Sequence, residues 1–248
     1  MKKHLIKNSL TILLAVGFIY ANAQENKQSA FAFNYNYQVP LGNLSTTFGD
    51  NSAIGISYFL EKTSNIFYGI EANYLFGSNI KDSTIFDNIT TSTGAIIGAD
   101  GHYANVNIME RGFDAYLFAG YAFHFEDNNL SGIYLSQGLG YLQHLIFIDT
   151  KNQNVPQLDE NMKKGYDRFT NGISGKLSID YKYYSKKGKF QISVGINYTT
   201  AYTKIQRAYN FAENSHYPSG RKWDNLQGFK VEVIIPIRRK NEEKFHYF

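Results

Sequence analysis

The chain has no cysteine, four prolines and one tryptophan in 248 residues. Without cysteine it has no disulfide framework and no thiolate metal site. Beyond the N-terminal region, no stretch reaches the ~18 apolar residues that a membrane helix needs. If this chain crosses a membrane, it must do so with strands. One-sided charge is missing too. Of the 25 basic and 21 acidic side chains, three basic ones (Lys2, Lys3, Lys7) and no acidic one lie in the first 23 residues, so the remainder stands at 22 against 21. That near-neutral balance argues against a nucleic-acid partner.

Residues 1–23 read as a cleaved signal peptide. A lysine-rich start precedes the short apolar run "LTILLAVGFIY", and Ala21-Asn22-Ala23 supplies a small-x-small cleavage pattern. No cysteine follows the cut, so a lipoprotein anchor is not expected.

Tyrosine and phenylalanine are abundant, at 20 and 19 copies, which suits strands and aromatic belts. "FAFNYNYQV" places Phe31, Phe33, Tyr35, Tyr37 and Val39 on one face and Ala32, Asn34, Asn36 and Gln38 on the other. Similar alternation gives eight strands at about 29–39, 53–60, 66–76, 113–125, 132–148, 173–183, 190–202 and 228–237. In the fifth, Gln137 breaks one face and His144 the other, which suggests a bulge. Gaps between strands alternate short and long. The expected fold is therefore all-β: an eight-stranded antiparallel up-and-down transmembrane β-barrel over 24–248, with four long extracellular loops, three short periplasmic turns, a filled lumen and a short periplasmic tail at 238–248. A soluble sandwich or lipocalin-like barrel would show the same alternation. Against it stand the glycines at inward-phase positions (Gly55, Gly69, Gly120, Gly138, Gly140, Gly195), which a narrow lumen requires, and the strict loop alternation.

With the polar faces inward, the lumen holds a charge network of Glu71, Asp114, Lys176, Asp180, Lys182, Lys230 and Glu232, with His124 near the turn end. Opposite charges so placed are expected to pair, because an unpaired buried charge is costly. A proton path or ion pore is the alternative.

In the third loop, Pro156, Asp159, Glu160, Lys163, Lys164 and Gly165 are ordered like the start, body and stop of a helix. The second loop carries a hairpin turn at Asp100-Gly101. The fourth mixes aromatics with Arg207, Arg221, Lys222 and Trp223. Partner contacts are expected from Asp100, Gly101, Tyr103, Pro156, Leu158, Tyr166, Arg168, Arg207, Arg221 and Trp223. Outer-membrane lipids and lipopolysaccharide are expected partners as well, since loop cations suit phosphates; Trp and Tyr anchoring at the interface is the plainer account. The exposed candidates for a catalytic unit are His102, His144 and His216 with Ser215, but no spacing joins them. No enzyme activity, cofactor or metal site is expected; the acidic "EDNN" at 126–129 reads as a tight turn. "DST" at Asp82–Thr84 matches a short O-glycosylation tripeptide, at Ser83 or Thr84.

"IIGADGHYANVNIMERGF" and "VPQLDENMKKGYDRFTNG" resemble segments of a Bacteroidota family of small exported barrels, over most of the mature chain. The resemblance implies an outer-membrane location and carries over no catalytic residue, because no activity is established for that family. In such bacteria small barrels accompany larger machines, the barrel-assembly complex and the type IX secretion apparatus among them. The expected role is thus a non-catalytic accessory subunit, docked on a larger outer-membrane protein or a surface lipoprotein. The alternatives are a lipid A-modifying enzyme and a stand-alone adhesin or envelope-stabilising barrel.

Overall fold

The computed structural model describes residues 26–126, 129–185 and 191–237. The expected signal peptide, the expected tail at 238–248 and residues 127 and 128 of the "EDNN" turn lie outside them.

Eight strands form one closed ring: β1 (Asn26–Leu41), β2 (Asn51–Lys62), β3 (Ile66–Gly77), β4 (Asn107–Glu126), β5 (Asn129–Asp149), β6 (Thr170–Tyr184), β7 (Gln191–Ile205) and β8 (Lys222–Pro236). Each pairs antiparallel with its sequence neighbours, and β1 closes on β8 with Tyr35 opposite Val231. Closure leaves no sheet edge, the condition for strands to cross a bilayer. The aromatic face of β1 points out: Phe33 is 52 % exposed, whereas Asn34 and Asn36 are buried. The same holds round the ring, where Ile54, Ile70, Leu117, Ile179, Ile196 and Val233 are exposed. An exposed band of this kind belongs in hydrocarbon, so the barrel is transmembrane.

Inside, space is made by glycine facing aromatic rings across strands. Phe67 lies opposite Gly120 and Phe118 opposite Gly69. A Cβ on Gly120 would stand 2.6 Å from the Phe67 ring, and one on Gly69 would stand 2.8 Å from the Phe118 ring.

Three expectations are corrected. Each strand runs past at least one of its expected ends, most of all β4 and β8, which begin at Asn107 and Lys222 rather than near 113 and 228. β5 contains no bulge between 132 and 148. One phase runs its whole length, with Tyr134, Leu142, His144, Ile146 and Ile148 buried inside and Gln137 on the outer wall. Its polarity changes, not its register. Near the loops the inner face turns apolar because it packs under a cap. In the third loop there is no α-helix but two 3-10 turns, Pro156–Leu158 and Met162–Gly165. Asp159 divides them: its backbone is extended, and its carboxylate accepts bonds from the Asn161 and Met162 amides at 2.8 and 2.7 Å. This local side-chain bond competes with helix continuation.

Candidate functional site

The lumen is stratified. At the turn end, Phe59, Phe67, Tyr134 and Tyr184 form a buried aromatic plug. Lys182 sits in it, with its ammonium 4.0 Å from the Phe59 ring centre and 4.5 Å from that of Tyr134. Beside it the Tyr134 hydroxyl donates to Glu61 at 2.9 Å, and His124 Nε2 lies 2.9 Å from the other Glu61 oxygen.

Above the plug come the ion pairs. Lys176 meets Glu71 at 2.6 Å, and the Asn73 amide nitrogen bridges Glu71 and Asp114. Lys230 stands between Asp180 and Glu232, at 3.2 and 3.1 Å. All seven charged residues singled out in the sequence are buried, and all but Asp114 line a common cavity. The residual cavity among them measures about 20 Å³, room for about one water.

Next to the loops is a layer that the sequence did not assemble. His144 Nε2 lies 3.0 Å from Asp224, to which the Thr203 hydroxyl donates at 2.6 Å. Asn51 donates to Glu110 at 2.9 Å. His144, expected to be exposed, is 2 % exposed, with the Phe48 ring edge-on to it at 5.2 Å. Thr203 bonds to the carboxylate rather than to the imidazole, so these three make no nucleophile–base pair. His102 and His216 remain outside. His216 stacks edge-on to Tyr209, and neighbouring Ser215 belongs to a two-residue ladder with Asn210.

The loop end is closed by a hydrophobic cap. Leu44 and Phe48 of the first loop, Ile85 and Ile96 of the second, and Val155, Leu158 and Tyr166 of the third pack over Leu142, Ile146 and Leu226. Tyr166 is wedged between Phe86 and Phe211, each 5.5 Å away, so the fourth loop joins as well. Polar clamps hold the rim. Arg207 grips Asp167 through both nitrogen types, and Arg168, in the left-handed region at φ 48°, ties Asp82 and Thr47. Partial burial raises the Asp82 pKa, but bonds from Thr84 and the charge of Arg168 outweigh it and hold the carboxyl below its usual range.

Leu158 and Tyr166, expected to touch a partner, are instead buried in the cap. Arg168 and Arg207 are spent on it. Asp100, Gly101, Tyr103 and Pro156 remain on the surface; Gly101 (φ 78°) makes the expected tight turn between the paired segments Ile96–Ile97 and Tyr103–Ala104. Trp223 packs against Tyr202 on the outer wall, with ring centres 4.9 Å apart and planes tilted by 38°, and Arg221 lies over the same tyrosine, the geometry of an interfacial anchor. In the glycosylation-like tripeptide, the Thr84 hydroxyl donates to Asp82 at 2.7 Å.

No protein-family model matches the chain, and a comparison with curated proteins finds no match. Among solved structures it is similar to Neisserial surface protein A, at 12 % identity and TM-score 0.43 over 85 % of this chain and 99 % of that one. It is similar to Ail, the attachment invasion locus protein of Yersinia pestis, at 7 % identity and TM-score 0.41 over the same shares. The outer membrane protein OprG from Pseudomonas aeruginosa aligns at 12 % identity and TM-score 0.37, covering 85 % of this chain and 95 % of that one. At these scores the likeness carries no weight for function, and the barrel rests on its own strand pairing.

Proposed function

We propose that the protein is a non-catalytic outer-membrane barrel that serves as an accessory subunit of a larger outer-membrane assembly, with its loop end outside the cell. The observation that carries this reading is the double seal. An aromatic plug closes one end of the lumen, a four-loop cap closes the other, and the ion pairs between them leave about 20 Å³. A filled lumen favours structure over transport, and the ordered cap gives a partner a rigid platform at small entropic cost. The docking surfaces are the cap, with Tyr103 71 % exposed at its hairpin, and the membrane-facing wall. In the Bacteroidota setting that the resemblance implies, the barrel-assembly machine and the type IX secretion apparatus are the assemblies in view. A larger barrel or a surface lipoprotein is the expected partner.

Lipid contacts accompany this role. A recess of about 330 Å³ on the outer wall carries Lys204 and Arg221 above Tyr141 and Ile173, a pairing of cations over apolar surface that suits lipopolysaccharide phosphates.

The test is affinity isolation of the tagged protein from gently solubilised outer membranes, with stoichiometry by mass. A large barrel or a lipoprotein recovered in equal amount supports the reading and names the assembly. Recovery free of any larger protein, in several mild detergents, overturns it.

A further inference from the structure

Gln137 lies on the outer wall at the middle of β5, where its side chain is exposed. The outward residues on either side along the strand are Leu135 and Leu139, the latter 67 % exposed, and its cross-strand neighbours are Ala119 and Leu177. Among the described residues none hydrogen-bonds its carboxamide. Gln143, nearer the loops on the same face, is different: its oxygen accepts from the Tyr141 hydroxyl at 3.1 Å. Gln227 of β8 also points outward, but it lies on the loop side of mid-strand, with Tyr198 and Val39 as its cross-strand neighbours. Gln137, flanked by Leu135, Leu139, Ala119 and Leu177, thus presents its carboxamide to hydrocarbon, where neither water nor an acyl chain can satisfy it.

The relief around it is uneven. On the β4 side Ala119, Ala115 and Ala72 lower the wall around Leu117, which stands out at 69 % exposed, and a groove of about 450 Å³ runs over Ala115 and Ala72. On the β6 side Leu177 and Ile179 stand out, 59 % and 52 % exposed.

From this we infer that the wall centred on Gln137 is a self-association face, occupied by a second copy of this chain about a two-fold axis normal to the membrane. A second copy in the same bilayer presents its own Gln137 at the same depth. A carboxamide is self-complementary, with Nε2 donating and Oε1 accepting, so the two-fold satisfies both groups at once. The same operation faces the β6 flank of each copy with the β4 flank of the other, where Ala115 and Ala119 leave room beside Leu117, and small residues beside a polar one are what intramembrane contacts use.

The natural absence of cysteine makes the test direct. The full chain carrying Gln137→Cys, oxidised in intact membranes, gives a disulfide-linked species of twice the chain mass. Phe33→Cys, on the opposite wall four strands away, does not. Gln137→Leu keeps the heat-modifiable mobility of a folded barrel but weakens self-association by about three- to tenfold in bilayer energy-transfer measurements. Absence of the Gln137→Cys dimer, equal cross-linking from Phe33→Cys, or linkage to a different protein instead would each overturn the inference.

Discussion

Lys230→Met keeps the length of the side chain and removes the one charge that lies between Asp180 and Glu232. Each carboxylate is about 3 Å from the ammonium and nearly fully buried. At an effective dielectric of about 20, each such contact carries roughly 5 kcal/mol of gross attraction. Most of that only offsets desolvation already incurred. What the variant adds is the penalty of two carboxylates facing one another with only the more distant Lys182 charge to offset them, for which broken buried pairs indicate a loss of about 3–5 kcal/mol at most. The assay is guanidine unfolding of the barrel in lipid bilayers, followed through the single tryptophan, Trp223, which sits on the outer wall beside Tyr202. The companion variant adds Asp180→Leu and Glu232→Leu and is expected to recover most of the loss, since a buried ionic cluster replaced by apolar groups is often neutral or better. Planar-bilayer conductance stays at the closed baseline for both. A loss below about 1 kcal/mol for Lys230→Met, or ionic current from either variant, would refute the account of the lumen as a paired, sealed core.

Three other outcomes follow from the geometry. Leu158→Ala empties a buried cap position at a local cost of about 2–5 kcal/mol; limited proteolysis is expected to open residues 150–169 while heat-modifiable mobility is unchanged, and loss of the whole barrel would contradict a separable cap. Because the Asp82 pKa is held below its ordinary 3.8, its contribution to the cap is fully present above about pH 4 and fades as pH falls through the lowered value; hydrogen exchange around residues 81–85 should rise only in that acid range, whereas Asp82→Asn raises it at neutral pH. Gly120→Val drives a branched side chain into the Phe67 ring and is expected to cost at least about 1–3 kcal/mol in the same unfolding assay, part of it returned by Phe67→Leu.

How much of this was legible follows the position of the lipid. Where a strand crosses hydrocarbon, one face must be apolar and the other must fit a crowded lumen, and the alternation of "FAFNYNYQV" or "FQISVGINYTT" cannot be mistaken. Strand number, ring order and the inward glycines come from that constraint. Above the lipid the constraint lapses. At the start of β8, Asp224 and Leu226 both point in while Asn225 and Gln227 point out, so apolar–polar alternation fails there and the sequence pattern starts the strand near 228. In β5 the inner face turns from Gly138 and Gly140 to Leu142, Ile146 and Ile148, which mimics a shift of register although none occurs. The His144–Asp224 pair spans 80 positions, and nothing local links its members. The burial of Leu158 and Tyr166 was hidden for a related reason: a loop residue packed inward looks the same in sequence as one offered to a partner.

That inversion of polarity also locates the place where selection can act on function. Below it, inward positions answer to packing and charge pairing, and outward ones to lipid, so a substitution there changes whether the barrel stands. Above it, β4 and β5 rise as a ribbon of their own, since β5 residues beyond His144 have no partner in β6, and the ribbon is covered by loops with their own hydrophobic core. A core of that kind lets the outer surface of the cap vary without unfolding the wall. Residues that carry no structural duty are therefore the informative ones. In the cap these are Tyr103 and Pro156, exposed on an ordered support; in the wall it is Gln137, an amide at mid-strand that neither lumen nor lipid accounts for.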